Sequence, residues 1–218
     1  MKLTKLLERL DYKVVAGSDN IEITELVNDS RKVVPDSVFV CISGAVSDGH
    51  QYVKDVAERG AAAVIVEKDV EVPEGLTVIK VENTRYALAL MSAAYFGYPA
   101  EKLKTIGITG TKGKTTTTYM VKAILEEVGH KVGLIGTIEA IIGDKTIPSN
   151  NTTPESYTIQ KYFAQMVEAG CDCVVMEVSS QGLMLHRTQG FVFDYGIFTN
   201  IEPDHIGPNE HRDFAHYL

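Results

Sequence analysis

The sequence predicts an α/β protein built in two parts, and three observations carry that reading. The chain has 218 residues, long for one domain and comfortable for two at about 100 to 200 residues each. Short apolar, β-branched runs alternate with helical patterns, as expected of a parallel sheet with helices on both faces. Between Thr105 and Val121 the stretch TIGITGTKGKTTTTYMV joins a strand to a helix through a glycine-rich loop. The pattern restarts after Pro99, so residues 1–98 are expected to form one domain and 99–218 a second.

Taken in order, MKLTKLLERL puts Leu3, Leu6, Leu7 and Leu10 at helical spacing with charges between them. That is an amphipathic helix rather than the apolar core of a signal peptide. SVFVCIS (37–43) and AAAVIVEK (61–68) read as strands, and QYVKDVAERG between them reads as a helix ending on Gly60, giving a β-α-β unit. RYALALMSAAYFGYP is a second helix, stopped by Gly97 and Pro99. In the second half KTIGITG is a strand, KTTTTYMVKAILEEVG a helix ended by Gly129, and KVGLIGT a strand. Gly143-Asp144 reads as the turn of a hairpin between EAII and KTIP. The helix ESYTIQKYFAQMVEAG then leads to the strand CVVMEVSS, and DYGIFTN gives another. HRDFAHYL ends the chain inside a helical pattern without a cap, as expected of a truncated second domain.

Apolar residues make up 44% and charged ones 23%, an ordinary composition for a chain with a buried core. A net charge of -8 argues against nucleic acid as the main partner. No run approaches the roughly 18 apolar residues of a membrane span, so the expected location is the cytoplasm. Cys41, Cys171 and Cys173 are too few for a disulfide framework. The last two sit two apart in a strand-like run, where alternation would point both to one face, and buried thiols are expected.

The loop is close to the Walker pattern G-x-x-x-x-G-K-[ST] but puts Ile108 where the first glycine belongs. Strand, loop and helix still supply the backbone N–H groups and helix end of an anion site. Thr109, Gly110, Thr111, Lys112, Gly113, Lys114 and Thr115 would cradle phosphates, with Lys114 reaching the β and γ groups and the Thr115 hydroxyl facing Mg²⁺. Glu177 follows the apolar run CVVM, where an acid is either an uncompensated charge or a metal ligand. Asp204 and His205, just beyond FTN, come to the same edge and could add an imidazole.

Here TGTKGKTT, NNTTPE, MEVSSQGL, the arginine of LHR, and FTNIEPDH resemble the ATP-binding central domain of the Mur ligases. Within that family the closest likeness is to the MurE type, which uses ATP to add the third amino acid of the peptidoglycan stem peptide to UDP-N-acetylmuramoyl-L-alanyl-D-glutamate. NDSRKVVPDSVFVCISGAVSDGH is similar to the N-terminal UDP-binding domain shared by the MurE and MurF types. The resemblance implies a small N-terminal α/β UDP-binding domain followed by an incomplete P-loop parallel-sheet ATPase domain. It implies ATP and Mg²⁺, and as partners UDP-MurNAc-L-Ala-D-Glu and either diaminopimelate or lysine, acting on a monomer.

Carried over by position, Lys114, Glu177 and His205 are the catalytic set, and Thr115, Glu177 and His205 the metal ligands. Ser30 would contact the uridine end, and Thr152, Thr153, Ser179 and Arg187 the sugar-peptide portion. Plainer readings stand beside these: Ser30 as a turn residue before Arg31, the threonines as a helix cap ahead of Glu155, and Arg187 as a solvated charge. Gln181 stands where some relatives have histidine and receives no role. IGPNEH replaces an expected LDYH, which leaves His211 unassigned. The family's carboxylated lysine and amino-acid-binding C-terminal domain have no counterpart in residues 1–218, so this chain is expected to bind ligands without making the amide. A MurF or folylpolyglutamate synthase type of ligase, or a non-enzymatic nucleotide switch, is the alternative.

Overall fold

Short β-branched runs bounded by turn residues become strands in both halves of the computed structural model, which describes residues 1–44, 47–207 and 210–218. Ala45 and Val46 of SGAVSDGH, and Pro208 and Asn209 of IGPNEH, lie outside the described residues. Backbone contacts divide the chain into two units, Met1–Tyr95 and Phe96–Leu218.

The first unit contains α1 (Leu3–Leu6), β1 (Lys13–Ala16), β2 (Leu26–Val27), β3 (Val38–Val40), α2 (Val53–Glu58), β4 (Ala63–Val66), β5 (Thr77–Lys80) and α3 (Thr84–Tyr95). Its sheet runs β1-β5-β4-β3-β2. β2 to β5 are parallel, while β1 pairs antiparallel with β5 at one edge. β3 and β4 are buried at every position, the continuous apolar pattern of strands covered on both faces. The leucine-rich start forms less helix than its spacing predicts. α1 makes a single turn, enough to bury Leu3, Leu6 and Leu7. α2 is preceded by a 3-10 turn, Gly49–Tyr52, whose Asp48 cap accepts from the His50 N–H. Sequence reasoning missed β1, β2 and β5; β2 has only two residues and β1 is mostly exposed.

The second unit contains β6 (Lys104–Thr109), α4 (Lys114–Glu127), β7 (Val132–Ile135), β8 (Glu139–Ile142), β9 (Lys145–Pro148), α5 (Ser156–Glu168), β10 (Cys173–Glu177), α6 (Ser180–Met184), β11 (Tyr195–Phe198) and α7 (Phe214–Tyr217). The sheet order is β11-β6-β10-β7-β8-β9. β11, β6, β10 and β7 are parallel, and β8 and β9 extend the sheet as an antiparallel hairpin. Ile142 pairs with Lys145 across Gly143-Asp144, with Gly143 at φ +58°, the left-handed geometry that two-residue hairpins favour. Register then fixes the site. Glu177 pairs with Ile108 and Phe198 with Thr109, so the chain leaves β6, β10 and β11 at one edge of the sheet.

Side chains of β10 alternate between two cores. Val174 and Met176 pack with Phe163 and Met166 of α5, whereas Cys173 and Val175 pack with Ile106 and Ile108. The expectation that Cys171 and Cys173 share a face is corrected here, because Cys171 joins the Phe163 core and Cys173 the Ile106 core. Cys171 is not yet in the strand. Its N–H bonds Met166 O at 2.9 Å, so it still belongs to the turn that closes α5. All three thiols are free and buried.

Phe163 is fully buried and meets the Phe191 ring edge-on at 5.0 Å. Phe163→Ala should destabilise the second unit by about 3–5 kcal/mol, read as a lower urea midpoint with the slope unchanged.

Candidate functional site

The phosphate-type loop begins where β6 ends. Ile108 is fully buried inside that strand, and its carbonyl accepts from Val178 N at 2.8 Å. A glycine there would interrupt a core strand, so the loop proper starts only at Gly110. Gly110 has φ +132°, and Gly113, with φ +82°, caps α4. A side chain at Gly110 would overlap Thr199 Oγ1 and come within 2.8 Å of Asn200 O. That crowding reflects a clamp. Thr111 N donates to Asn200 O at 3.0 Å and Lys112 N to Asn200 Oδ1 at 3.0 Å. Asn200 Nδ2 and Thr199 Oγ1 donate back to Lys112 O at 3.0 and 2.8 Å.

Lys114 opens α4, and its ammonium donates to Gly110 O at 2.7 Å and Thr111 O at 3.0 Å. Burial lowers its pKa below the ordinary lysine value, against the opposing pull of the Glu177 and Asp204 carboxylates. Lys112 turns outward to Glu202.

Glu177 ends β10 fully buried, and three donors reach its carboxylate. Thr115 Oγ1 and Thr137 Oγ1 donate to Oε2 at 2.9 and 3.0 Å, and Thr137 N donates to Oε1 at 2.9 Å. A Cβ on Gly136 would overlap that same Oε1, so the residue before Thr137 must be small.

The residues assigned to the sugar-peptide portion meet on the other side of Glu177. Thr153 is buried, its hydroxyl donating to Glu177 O at 3.1 Å and accepting from Ser179 N at 2.9 Å. The Ser179 side chain caps α6 by accepting from Gly182 N at 3.0 Å. Arg187 bonds Thr153 O at 2.9 Å and Glu155 at 2.9 Å. With a side chain only 13% exposed it is no solvated charge, and its buried Nε has no partner among the described residues. Neither threonine caps α5, whose N-cap residue is Glu155, with no side-chain capping bond. Thr152 Oγ1 lies 3.0 Å from Thr137 Oγ1.

A cleft of about 480 Å³ is lined by Gly110, Lys114, Thr137, Thr152, Arg187 and His205 among others, within the roughly 300–1,000 Å³ of small-molecule sites. His205 sits at φ +54° with a half-exposed ring. His211, buried, donates its N–H to His205 O at 3.0 Å and faces His216 at 3.2 Å between Nδ1 atoms. The second unit thus gathers the loop, Glu177, His205 and the Thr152–Arg187 group in one neighbourhood. Ser30 lies in the first unit, in a 3-10 turn whose Asp29 cap accepts from Arg31 N, which agrees with the turn reading. Sequence reasoning missed Gly136, Thr137, Thr199 and Asn200 as site residues. Their signal was the polar or small pair directly after an apolar strand, in LIGT and IFTN.

The arrangement offers cations and backbone amides to an anionic ligand, beside a buried carboxylate with a hydroxyl neighbour. Comparison with known proteins bears on what that ligand is. Residues 108–218 match the family description Mur ligase middle domain, and residues 22–96 match Mur ligase family, catalytic domain. The chain is 47% identical over 217 residues to UDP-N-acetylmuramoyl-L-alanyl-D-glutamate--2,6-diaminopimelate ligase of Clostridium perfringens, covering all of this chain and 44% of that protein. It is 48% identical to the similarly named ligase 1 of Clostridium acetobutylicum, covering 45% of it. The chain therefore spans slightly less than half the length of these relatives. A solved structure of a 2,6-diaminopimelate ligase of the same name matches the whole chain and 43% of its own, with TM-score 0.82 and 20% identity. MurF ligase from Thermotoga maritima, solved in complex with ADP, matches 83% of this chain and 38% of its own, with TM-score 0.52 and 22% identity; at such identities these two likenesses concern the fold.

Gly110→Ala should break the clamp. The expected result is faster hydrogen exchange at the Thr111 and Thr199 amides, with a stability loss of about 1–3 kcal/mol. Unchanged exchange at both amides would show that the loop does not depend on the 199–200 segment.

Proposed function

We propose, since this chain belongs to the Mur ligase family, that it is the nucleotide- and UDP-substrate-handling part of a cytoplasmic ligase of the MurE type. In this reading the whole protein uses ATP to join an amino acid to UDP-MurNAc-L-Ala-D-Glu. The names of the relatives favour diaminopimelate over lysine as that amino acid. The first unit, with Ser30, takes the uridine end, and the second takes ATP. The observation that carries the reading is the convergence of Lys114, Thr115 and the buried Glu177 at the shared end of β6 and β10.

ATP would transfer its γ-phosphoryl group to the D-glutamate carboxylate, leaving ADP and an acyl phosphate, whose acyl carbon the incoming amine attacks to form the amide and release inorganic phosphate and a proton. Such transfer is chiefly positioning and charge neutralisation. The loop amides from Gly110 to Thr115 hold the phosphate chain at the start of α4. Lys114 is partly desolvated and, among the described residues, bonded only to loop carbonyls, so phosphate oxygens would stabilise the charge that burial penalises.

The donor set fits Mg²⁺. A carboxylate and a hydroxyl are hard oxygen ligands, and Mg²⁺ is commonly held by one or two carboxylates plus phosphates and water. Thr115 and Glu177 would hold one ion, and His205 would serve a second. When bound, Mg²⁺ supplies charge neutralisation that lets phosphate and acceptor carboxylate approach. Arg187, Thr152 and Ser179 would orient the acceptor, all three lining the cleft. Thr153 acts through them, because its hydroxyl is already engaged at both Glu177 O and Ser179 N.

Lys114→Ala should weaken Mg·ATP by about 10- to 100-fold, the scale of a lost charge-assisted hydrogen bond, and Mg·ADP by much less. Calorimetry with both nucleotides checks this. Equal Mg·ATP affinity in wild type and variant would remove the reading of this loop.

A further inference from the structure

The Thr137 hydroxyl is engaged on two sides, yet the mechanism above gives it no task. Its N–H donates to Glu177 Oε1 at 2.9 Å, and its Oγ1 lies 3.0 Å from both Glu177 Oε2 and Thr152 Oγ1. We infer that Thr137 is a positioning residue whose hydroxyl links the carboxylate on the metal side to the Thr152 hydroxyl on the acceptor side. The inference rests on the reading of this cleft as a Mg-nucleotide site.

Donor counting gives the link a direction. A hydroxyl has one hydrogen and two lone pairs, and an ionised carboxylate only accepts. The Thr137 hydrogen therefore belongs to Glu177. Thr152 must then donate to Thr137 for their 3.0 Å contact to be a hydrogen bond. The order without a cation is Thr152 to Thr137 to Glu177. Thr152, which lines the cleft, faces it with lone pairs alone and is unsuited to an anionic group.

Charge at Oε2 reverses that order. A divalent cation between Thr115 and Glu177 satisfies the oxygen that Thr137 and Thr115 share. Thr137 can then turn its hydrogen to Thr152, and Thr152 can turn its own toward the cleft. Loading the metal side thus converts Thr152 from acceptor to donor, the polarity that a carboxylate or phosphate requires. Because binding linkage is reciprocal, changes at Thr152 must be felt at the cation by way of the Thr137 hydroxyl. The Thr137 N–H contact and the close approach at Gly136 keep the carboxylate in place meanwhile.

The test is Mn²⁺ binding in the presence of ADP, read from the paramagnetic resonance signal of free Mn²⁺ on the 218-residue chain. Thr137→Val keeps shape and loses the hydroxyl, and should weaken Mn²⁺ five- to tenfold. Thr137→Ser restores the hydroxyl and should come within twofold of wild type. Thr152→Val should change the affinity two- to threefold in the wild-type background and leave it unchanged in the Thr137→Val background. Melting curves report folding, and the Thr152→Val and Thr137→Ser comparisons stand even if Thr137→Val does not fold. Wild-type affinity in Thr137→Val, a failure of Thr137→Ser to match wild type, or no effect of Thr152→Val on its own would each overturn the link, as would additive effects of the two valine substitutions. A wild-type chain that takes no Mn²⁺ with ADP would instead overturn the proposed function, and the link with it.

Discussion

A carboxylate buried at the end of a central parallel strand is costly unless its oxygens find donors, and that demand organises the second unit. Glu177 is fully buried, and its donors arrive from two other chain segments. Thr115 comes from the start of α4, and Thr137 from the loop after β7. These segments can meet only because β6, β10 and β7 run parallel in adjacent register. Local packing follows from the same point. Thr153 bonds the Glu177 carbonyl and then receives Ser179 N, which sets the start of α6, and Arg187 closes back onto Thr153.

The two ends of this network differ in what they leave unsatisfied. On the structural side the Thr153 hydroxyl is engaged at both Glu177 O and Ser179 N. Toward the cleft, the Lys114 ammonium has only carbonyl partners among the described residues. A partly desolvated ammonium whose described partners are neutral carbonyls is held in readiness for an anion, at some cost to the empty protein. Stability and binding therefore draw on different residues of one cluster.

The sequence made most of this architecture legible, since helix periodicity and glycine stops located α3, α4 and α5 and the hairpin turn at Gly143-Asp144. It failed where local pattern yields to context. Cys171 sits in a strand-like run, yet the turn closing α5 holds it and sends it to the other core. The leucines of α1 keep helical spacing but need only one turn to be buried. At the site, Lys114 and Thr115 were readable from the strand-loop-helix pattern and Glu177 from its place directly after the apolar run CVVM. Thr137, Thr199 and Asn200 were not, because their importance depends on strand order and a sheet partner's position far along the chain. A threonine after a strand is common, and only its distance to Glu177 singles it out.

The absent Walker glycine follows from the same dependence on distant partners. With Ile108 committed to β6, the loop lacks one flexible position and cannot be shaped by its own residues alone. Thr199 and Asn200, just past β11, supply the missing support through bonds to Thr109 O, Thr111 N, Lys112 N and Lys112 O. β11 itself is held by its pairing with β6, Phe198 beside Thr109. The shape of the phosphate loop is therefore a consequence of edge-strand pairing, so a perturbation that loosens β11 acts on the loop without touching any residue in it.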